Sequence, residues 1–321
     1  NNAMALEIMS IDALVRGQGQ EALAALERLA ATGAEGDVLD LRLGLGYLMA
    51  GQRDKGTAAL EKASESGGDA ALRADTALVF QWLKAKKYDR ALQIVDGLQQ
   101  KMPGKVLPYS LRGTVLAEKG DLVGAQEAFE KAWSMAPGDA PTGRSLARVA
   151  LKSGDMAQAE KYLRDVLVKH PEDTATRIEL AQLLLAQKDS AGFLVELEMA
   201  TRQSPSDPRP WLLLLRFDLG SNNIDKALER LEQMPAAQKD HTAVAETTGL
   251  VYLRAGRASE AEKIFARLVE QMADRPQFRL LLAESQAAQD KIGEARDTLE
   301  LAAKDLPDDL NIWIALSNLE I

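Results

Sequence analysis

The side chains that most often perform chemistry in proteins are scarce in this chain. It contains no cysteine, which excludes disulfides, thiolate nucleophiles and sulfur-ligated metal sites. The only histidines, His170 and His241, belong to no His-x-x-x-His pair, and we interpret both as solvated turn residues. Neither a P-loop nor a dinucleotide-binding glycine motif occurs. We therefore expect no catalytic residue, no cofactor and no metal ion.

The net charge of the chain argues against one class of binding partner. Lys and Arg number 39 against 48 Asp and Glu, a net charge of −9. Nucleic-acid affinity comes largely from clustered Lys and Arg, so the balance argues against a nucleic-acid partner. The carboxylates are spread along the chain, and no acid–base pair stands out among them. The composition favours a soluble binding protein over an enzyme.

Helices are the elements that would position any binding residues. Hydrophobic residues make up 46% of the chain and aromatic residues 5%, with few runs of the β-branched residues that strands favour. This composition predicts an all-α fold.

One pattern repeats along the chain. A Gly or polar residue is followed five positions later by a small residue, then by apolar residues at +4 and +7, as in Gly120, Ala125, Phe129 and Ala132. The small position advances in steps of 34 residues, with a single step of 35, and is filled by Ala22, Gly56, Ala91, Ala125, Ala159, Phe193, Ala227, Ala261 and Ala295. Such a period predicts stacked helix pairs that bury one continuous core.

The turns of the repeat have their own signals. Glycine at the start of the pattern can adopt the left-handed conformation that closes a helix. Proline stops the second helix of several repeats, at positions 137, 171, 205 and 307. Two residues after each proline stands an aspartate that can cap the next helix: Asp139, Asp173, Asp207 and Asp309.

A helix–turn–helix period of 34 residues resembles that of the tetratricopeptide-repeat (TPR) family. The resemblance covers nine repeats and one extra first helix. It implies an all-α, right-handed superhelical solenoid of stacked antiparallel helix pairs, forming one solenoid over residues 4–321. Repeats are expected to start near residues 3, 37, 72, 106, 140, 174, 208, 242, 276 and 310. The resemblance also implies a scaffold that binds a protein or peptide partner.

Three repeats depart from the pattern. The second is one residue longer than the others, with Gly67-Gly68 in its closing turn and Gly56 in its small position, where glycine weakens the helix relative to alanine. Phe193 fills a small-residue position, with Lys188 in place of the turn glycine, and we expect a wider helix crossing there. Pro235 comes early in its repeat, so its second helix should end near Met234 and be followed by a longer loop up to His241. All three departures are compatible with tolerated sequence drift, or with a hinge or a change of superhelical pitch.

The first helices of TPR proteins line a concave groove, and the resemblance implies that the second, fifth, ninth, twelfth and thirteenth residues of each repeat face it. In the early repeats these positions include Leu41, Leu45 and Phe80. An exposed apolar strip is typical of a site for a peptide or a partner helix. The alternative is that these residues only pack against neighbouring repeats.

The groove positions of the middle repeats are basic instead, with Arg144, Arg148, Lys152, Arg209 and Arg216. A row of guanidinium groups suits carboxylates or phosphates. Anionic polysaccharide would satisfy the same row. The alternative is that these cations pair with neighbouring Asp and Glu.

Several strings give a narrower resemblance, among them Gly51–Gly56, Leu98–Pro103 and Trp211–Leu219. Their order is similar to that of the TPR-repeat lipoproteins of bacterial PEP-CTERM protein-sorting and exopolysaccharide systems. This resemblance implies an exported, periplasm-facing lipoprotein of the bacterial envelope, held at the membrane only by a lipid anchor outside these residues. The alternative is a cytoplasmic protein.

The first and last residues of the sequence also suggest an interpretation. Asn1-Asn2-Ala3 is typical of an expression scar, and Ile321 falls in the middle of a repeat. We expect the sequence to be part of a longer protein. No apolar run approaches the roughly 18–20 residues that span a bilayer.

Three hypotheses for function remain. The first is a non-catalytic scaffold that binds a peptide or partner helix in its groove, in PEP-CTERM sorting or exopolysaccharide export. The second is an envelope component that handles anionic exopolysaccharide. The third is the regulatory arm of a larger enzyme.

Overall fold

The computed structural model describes residues 3–272 and 275–319, and every regular element in these ranges is a helix. Asn1 and Asn2 of the expected scar lie outside the described residues. Within the described ranges, no helix is both long enough and apolar enough to cross a bilayer.

The chain divides into two compact units, and unit 1 covers Asn1–Pro171. Its helices are α1 (Ala3–Val15), α2 (Gly19–Ala31), α3 (Asp37–Met49), α4 (Arg53–Glu65), α5 (Gly68–Lys84), α6 (Tyr88–Lys101), α7 (Val106–Lys119), α8 (Leu122–Met135), α9 (Ala140–Lys152) and α10 (Met156–Lys169). Each helix packs on the next one in the chain, and the first helices α3, α5, α7 and α9 also contact each other in sequence.

Unit 2 covers Glu172–Ile321. Its helices are α11 (Thr174–Ala186), α12 (Ser190–Gln203), α13 (Pro208–Gly220), α14 (Ile224–Gln233), α15 (Ala236–Lys239), α16 (Thr242–Arg254), α17 (Ala258–Gln271), α18 (Pro276–Ala287), α19 (Ile292–Asp305) and α20 (Leu310–Leu319). The helices again pack largely in chain order, and α13, α14 and α15 each contact α16. The predicted all-α fold of stacked helix pairs is confirmed, whereas one continuous solenoid over residues 4–321 stays a prediction.

Left-handed residues close the first helices of the pairs in both units. In unit 1, Gly120 and Gly154 have φ of 91° and 84°. In unit 2, the equivalent positions of two repeats are Lys188 and Asn222, which adopt the same conformation at φ of 67° and 56°. The turn geometry therefore persists where the glycine does not, and the side chains there carry the strain of the left-handed region.

The small positions allow two helices of a pair to approach closely. A Cβ atom added at Gly113 would lie 2.7 Å from the ring of Phe129, and one added at Gly249 would lie 2.4 Å from the ring of Phe265. Contacts this short are forbidden, so glycine is required where these rings pack against the first helix.

Aspartate capping follows the prediction. Asp139 accepts hydrogen bonds from the backbone N–H of Thr142 at 3.0 Å and from its hydroxyl at 2.6 Å. Asp207 accepts from the backbone N–H of Arg209 at 2.9 Å, and Asp309 from that of Asn311 at 2.9 Å. These bonds satisfy amide groups that have no partner within the helix.

Two boundaries differ from expectation. The third repeat was expected to start near residue 72, but α5 begins at Gly68, directly after the left-handed Gly67. Helix α14 ends at Gln233 as expected, but the following segment contains the one-turn helix α15 rather than only a loop. The side chain of Gln238 in α15 is buried, so packing against the unit holds this turn in place.

Phe193 is fully accommodated in the interior of unit 2. Its ring lies 5.0 Å from that of Phe217 on α13, and it packs with Ile178, Ala181 and Leu197. The ring thus fills space towards the next repeat. The wider crossing of α11 and α12 stays a prediction.

Candidate functional site

An open apolar cleft of about 740 Å³ lies on the first helices of unit 1. Leu45, Leu48 and Met49 of α3 line it, together with residues of α5 that include Phe80. Leu107 of α7 completes the apolar lining. Three successive first helices therefore build one surface, as the stacking of repeats dictates.

The three apolar residues expected in the groove have different environments. Phe80 is 53% exposed, and Leu45 is half-buried at the edge of the cleft. Leu41 is only 6% exposed and packs in the core with Leu60 and Leu78. Leu45 and Phe80 are thus available to a ligand, while Leu41 supports the helices beneath them.

Three cations stand around this cleft: Arg53 at the start of α4, and Arg73 and Lys84 on α5. All three are exposed. The repeat rule places Arg73 and Lys84 at the second and thirteenth positions, but the expected set took only the apolar residue Phe80 from this region. Arg53 lies outside the first helices, so no groove-position rule could find it.

The basic residues of α9 in unit 1 form a second, smaller feature. Arg148 and Lys152 are exposed and line a cleft of about 170 Å³, together with Glu118 and Ser145. The guanidinium Nε of Arg148 donates to the backbone carbonyl of Arg144 at 3.3 Å. Arg144 is half-buried one turn earlier on the same helix.

In unit 2, Arg209 is already paired. Its Nε and Nη2 donate to the two carboxylate oxygens of Asp207 at 3.0 and 2.6 Å. The hydrogen bond from Arg209 lowers the pKa of Asp207. Arg216 is exposed on the same helix and forms no ion pair with any described residue. The pairing alternative therefore holds for Arg209.

The described residues hold no arrangement typical of catalysis. His170 ends α10 and His241 precedes α16, and both are exposed. No group of three or more His, Cys, Asp or Glu within residues 3–272 and 275–319 could hold a metal ion. Burial raises the pKa of Asp218, but its carboxylate accepts a hydrogen bond from Arg230 at 2.5 Å and serves the packing of α13 and α14.

A family match decides the class of the protein. The model of the tetratricopeptide repeat matches residues 116–175, 150–214 and 252–319, which together make up just over half of the chain. The chain is a tetratricopeptide-repeat protein. TPR proteins bind protein or peptide partners, and their fold is typically a non-catalytic scaffold. The resemblance seen in the 34-residue period is confirmed.

A curated relative of this TPR chain is the cellulose synthase operon protein C of Pseudomonas fluorescens (strain SBW25). The two are 24% identical over 253 residues, which is 75% of this chain. The chain spans only 20% of the length of that relative. The match does not show the narrower PEP-CTERM family, which stays a proposal.

Several solved structures are similar to this one. A TPR protein from Parabacteroides merdae is 14% identical, with a TM-score of 0.46 over 77% of this chain and 98% of its own. MamA from Desulfovibrio magneticus RS-1 is 20% identical, with a TM-score of 0.44 over 53% of this chain and 96% of its own. Yeast Tom70 is 11% identical, with a TM-score of 0.47 over 99% of this chain and 81% of its own. At these identities the similarity extends to the fold alone.

Proposed function

We propose that this TPR chain is a non-catalytic protein-interaction scaffold that holds a peptide segment or a partner helix in the apolar cleft of unit 1. The main support for this proposal is the exposure of Phe80 in that cleft. Its large aromatic ring is 53% exposed among leucines, and the free energy falls when a partner covers such apolar surface. No residue of the chain is proposed to act in catalysis.

The composition of the cleft supports an adaptable protein partner. Met49 is 43% exposed beside Leu45 and Leu48. An unbranched methionine can adjust its shape to different apolar side chains. Aromatic and methionine side chains are also enriched in the centres of protein interfaces.

Phe80→Ala tests the proposal in a capture experiment from envelope extracts. Wild type should retain a partner protein that the variant loses, since truncating a central aromatic residue of an interface costs about 2 kcal/mol or more. Val195→Ala is the matched control, because Val195 is 54% exposed on α12 of unit 2. Equal capture by wild type and both variants would show that the cleft is not the binding site.

We place this scaffold in the bacterial envelope, in PEP-CTERM sorting or exopolysaccharide export. The name of the curated relative supports this context, since it connects that protein with the operon of cellulose synthase. The order of the sequence strings that resemble PEP-CTERM lipoproteins supports it independently. Fractionation of the source cells tests the location: recovery of the full-length protein in the cytoplasm would contradict it.

Binding of anionic polysaccharide is the second candidate function. It is favoured by Arg148 and Lys152, which are exposed side by side on α9 and line the smaller cleft. Binding should be strong at low salt and weaken as salt screens the charges. Arg148→Ala with Lys152→Ala should abolish it, and an affinity for anionic polysaccharide that survives this double change would contradict the assignment.

A further inference from the structure

The cleft of unit 1 is basic in a chain that is acidic overall. Arg53, Arg73 and Lys84 line it, and no Asp or Glu of the described residues does. The whole chain carries a net charge of −9. The charge around Phe80 is therefore opposite to that of the molecule as a whole.

These three cations also differ from others in the same unit. Lys101 pairs with Asp75 at 3.1 Å, and Lys119 pairs with Asp89 at 2.9 Å. The cations of the cleft form no ion pair with any residue in the described part of the chain. Their charge is thus not used within the fold and is available to a ligand.

The spacing of the cations sets the length of a matching ligand. Arg73 and Lys84 lie on α5 with Phe80 between them, and all three line the same face. Eleven residues of helix separate the two cations, which corresponds to about 16 Å along the axis. Two carboxylates on a ligand helix reach the same separation after about three turns.

The polarity of the cleft favours a helical ligand over an extended one. An extended segment would bring unpaired backbone N–H and C=O groups into the cleft, whereas a helix satisfies these groups internally. The uncharged polar side chains of the lining are Thr76 and Gln81. The hydroxyl of Thr76 already donates to the carbonyl of Leu72 at 2.8 Å. The lining therefore has little to offer an extended backbone.

We propose that the cleft binds an amphipathic α-helix of a partner protein, about three turns long, with acidic side chains at both ends of its apolar face. The apolar face packs on Phe80 and the leucines of α3, while the acidic ends meet Arg73 and Lys84. Arg53 adds to the same positive field. This inference rests on the proposed scaffold function and specifies its partner.

Synthetic helices test the inference directly. Three peptides share one apolar face and differ only at two positions eleven residues apart, which carry Glu, Gln or Lys. Their affinities for the full chain are measured by fluorescence anisotropy. The Glu peptide should bind about tenfold more tightly than the Gln peptide, because its two carboxylates can form ion pairs with Arg73 and Lys84. The Lys peptide should bind most weakly, and added salt should reduce the difference.

Charge reversal provides the second arm. The variant Arg73→Glu with Lys84→Glu should reverse the preference and bind the Lys peptide best. Lys131→Glu with Lys161→Glu is the matched control, because both lysines are exposed on second helices of the same unit. That control should keep the wild-type order of the three peptides.

The outcomes separate this inference from the scaffold function. Equal affinity for all three peptides, with loss of binding in Phe80→Ala, would overturn the acidic helix and leave the apolar site intact. Failure of every peptide to bind at millimolar concentration would overturn both. Concentration-dependent self-association of wild type that Phe80→Ala abolishes would identify a second copy of the chain as the occupant and overturn the inference.

Discussion

Two sets of cations, one in each unit, differ in burial and in pairing. In unit 2, Arg177 is buried and donates to Glu196 at 2.6 Å, and Arg230 is buried between Asp218 at 2.5 Å and Glu198 at 3.1 Å. In unit 1, the cations around the apolar cleft are exposed and unpaired within the described residues. The same repeat architecture therefore holds arginine both in buried ion pairs, as in unit 2, and as unpaired surface charge, as around the cleft of unit 1.

This difference distinguishes cations that the fold needs from cations that are free to bind a ligand. A buried guanidinium must be paired because an isolated charge in the interior is very costly, so the pairs of unit 2 are explained by folding alone. An exposed guanidinium costs the fold little and gains little from it. The unpaired cations of the cleft have no such structural explanation. Binding is assigned to them, and not to Arg216 of unit 2, because they line the same cleft as the exposed Phe80.

Arg230→Ala should have the largest effect of the changes considered. It leaves the carboxylate of Asp218 buried without its partner, and breaking a buried pair in this way costs about 3–5 kcal/mol. Urea unfolding followed by circular dichroism measures the loss. Arg73→Ala in unit 1 is the counterpart and should change stability by less than about 0.5 kcal/mol.

A double change sharpens this first test. Replacing Arg230 by Met together with Asp218 by Leu removes both charges and keeps apolar volume, so much of the stability should return. A large loss of stability in Arg73→Ala, or none in Arg230→Ala, would remove the contrast between the exposed and the buried cations.

Substitutions in the turns between helices should change stability less than Arg230→Ala, and in opposite directions in the two turns considered. Gly154→Ala in unit 1 forces a Cβ atom into the left-handed region and should cost about 1 kcal/mol, although no atom lies within 4 Å of the added carbon. Lys188→Gly in unit 2 relieves the same strain and should increase the free energy of unfolding by up to about 1 kcal/mol. A higher thermal unfolding midpoint would show this.

Equal responses of both turns would contradict this account. Gly97→Ala is the control, because Gly97 lies inside α6 without positive φ and has no atom within 4 Å of an added Cβ. It should stabilise the chain slightly, since alanine favours the helix over glycine by about 0.5–1 kcal/mol.

Local signals explain why so much of the fold could be predicted. A turn glycine such as Gly154 and a capping aspartate such as Asp139 act within a few residues, so a single sequence displays them. The one-turn helix α15 is different, because it depends on the burial of Gln238 against the rest of unit 2. The early start of α5 was not displayed in this way: only two residues separate α4 from α5, whereas four separate α6 from α7, so residues expected in the turn belong to the helix.

The candidate site could be predicted only in part. The repeat rule finds the helix face of Leu41 and Leu45, but not the depth at which each side chain lies, which depends on the neighbouring repeats. The pairing of Arg209 with Asp207 spans two residues and was open to prediction. The position of Arg53 beside Phe80 was not, because two different repeats bring these residues together.

The smallest expected effect is a pH dependence in unit 2. The pKa of Asp207 is lowered from 3.8, first by the hydrogen bond from Arg209. An acid with a lowered pKa in the folded state contributes stability above its unfolded pKa and loses it as the pH falls through the folded value.

The variant Asp207→Asn keeps a capping oxygen but loses the charge. It should be less stable than wild type at neutral pH by about 0.5 kcal/mol, a small effect because Arg209 is over half exposed. In acid unfolding curves the difference should shrink and then vanish as the pH falls through the lowered pKa of Asp207 and its carboxylate becomes protonated. Arg209→Gln should remove the same pH-dependent part, whereas a difference that stays constant down to pH 2 would mean that the Asn variant acts through the cap and not through the ion pair.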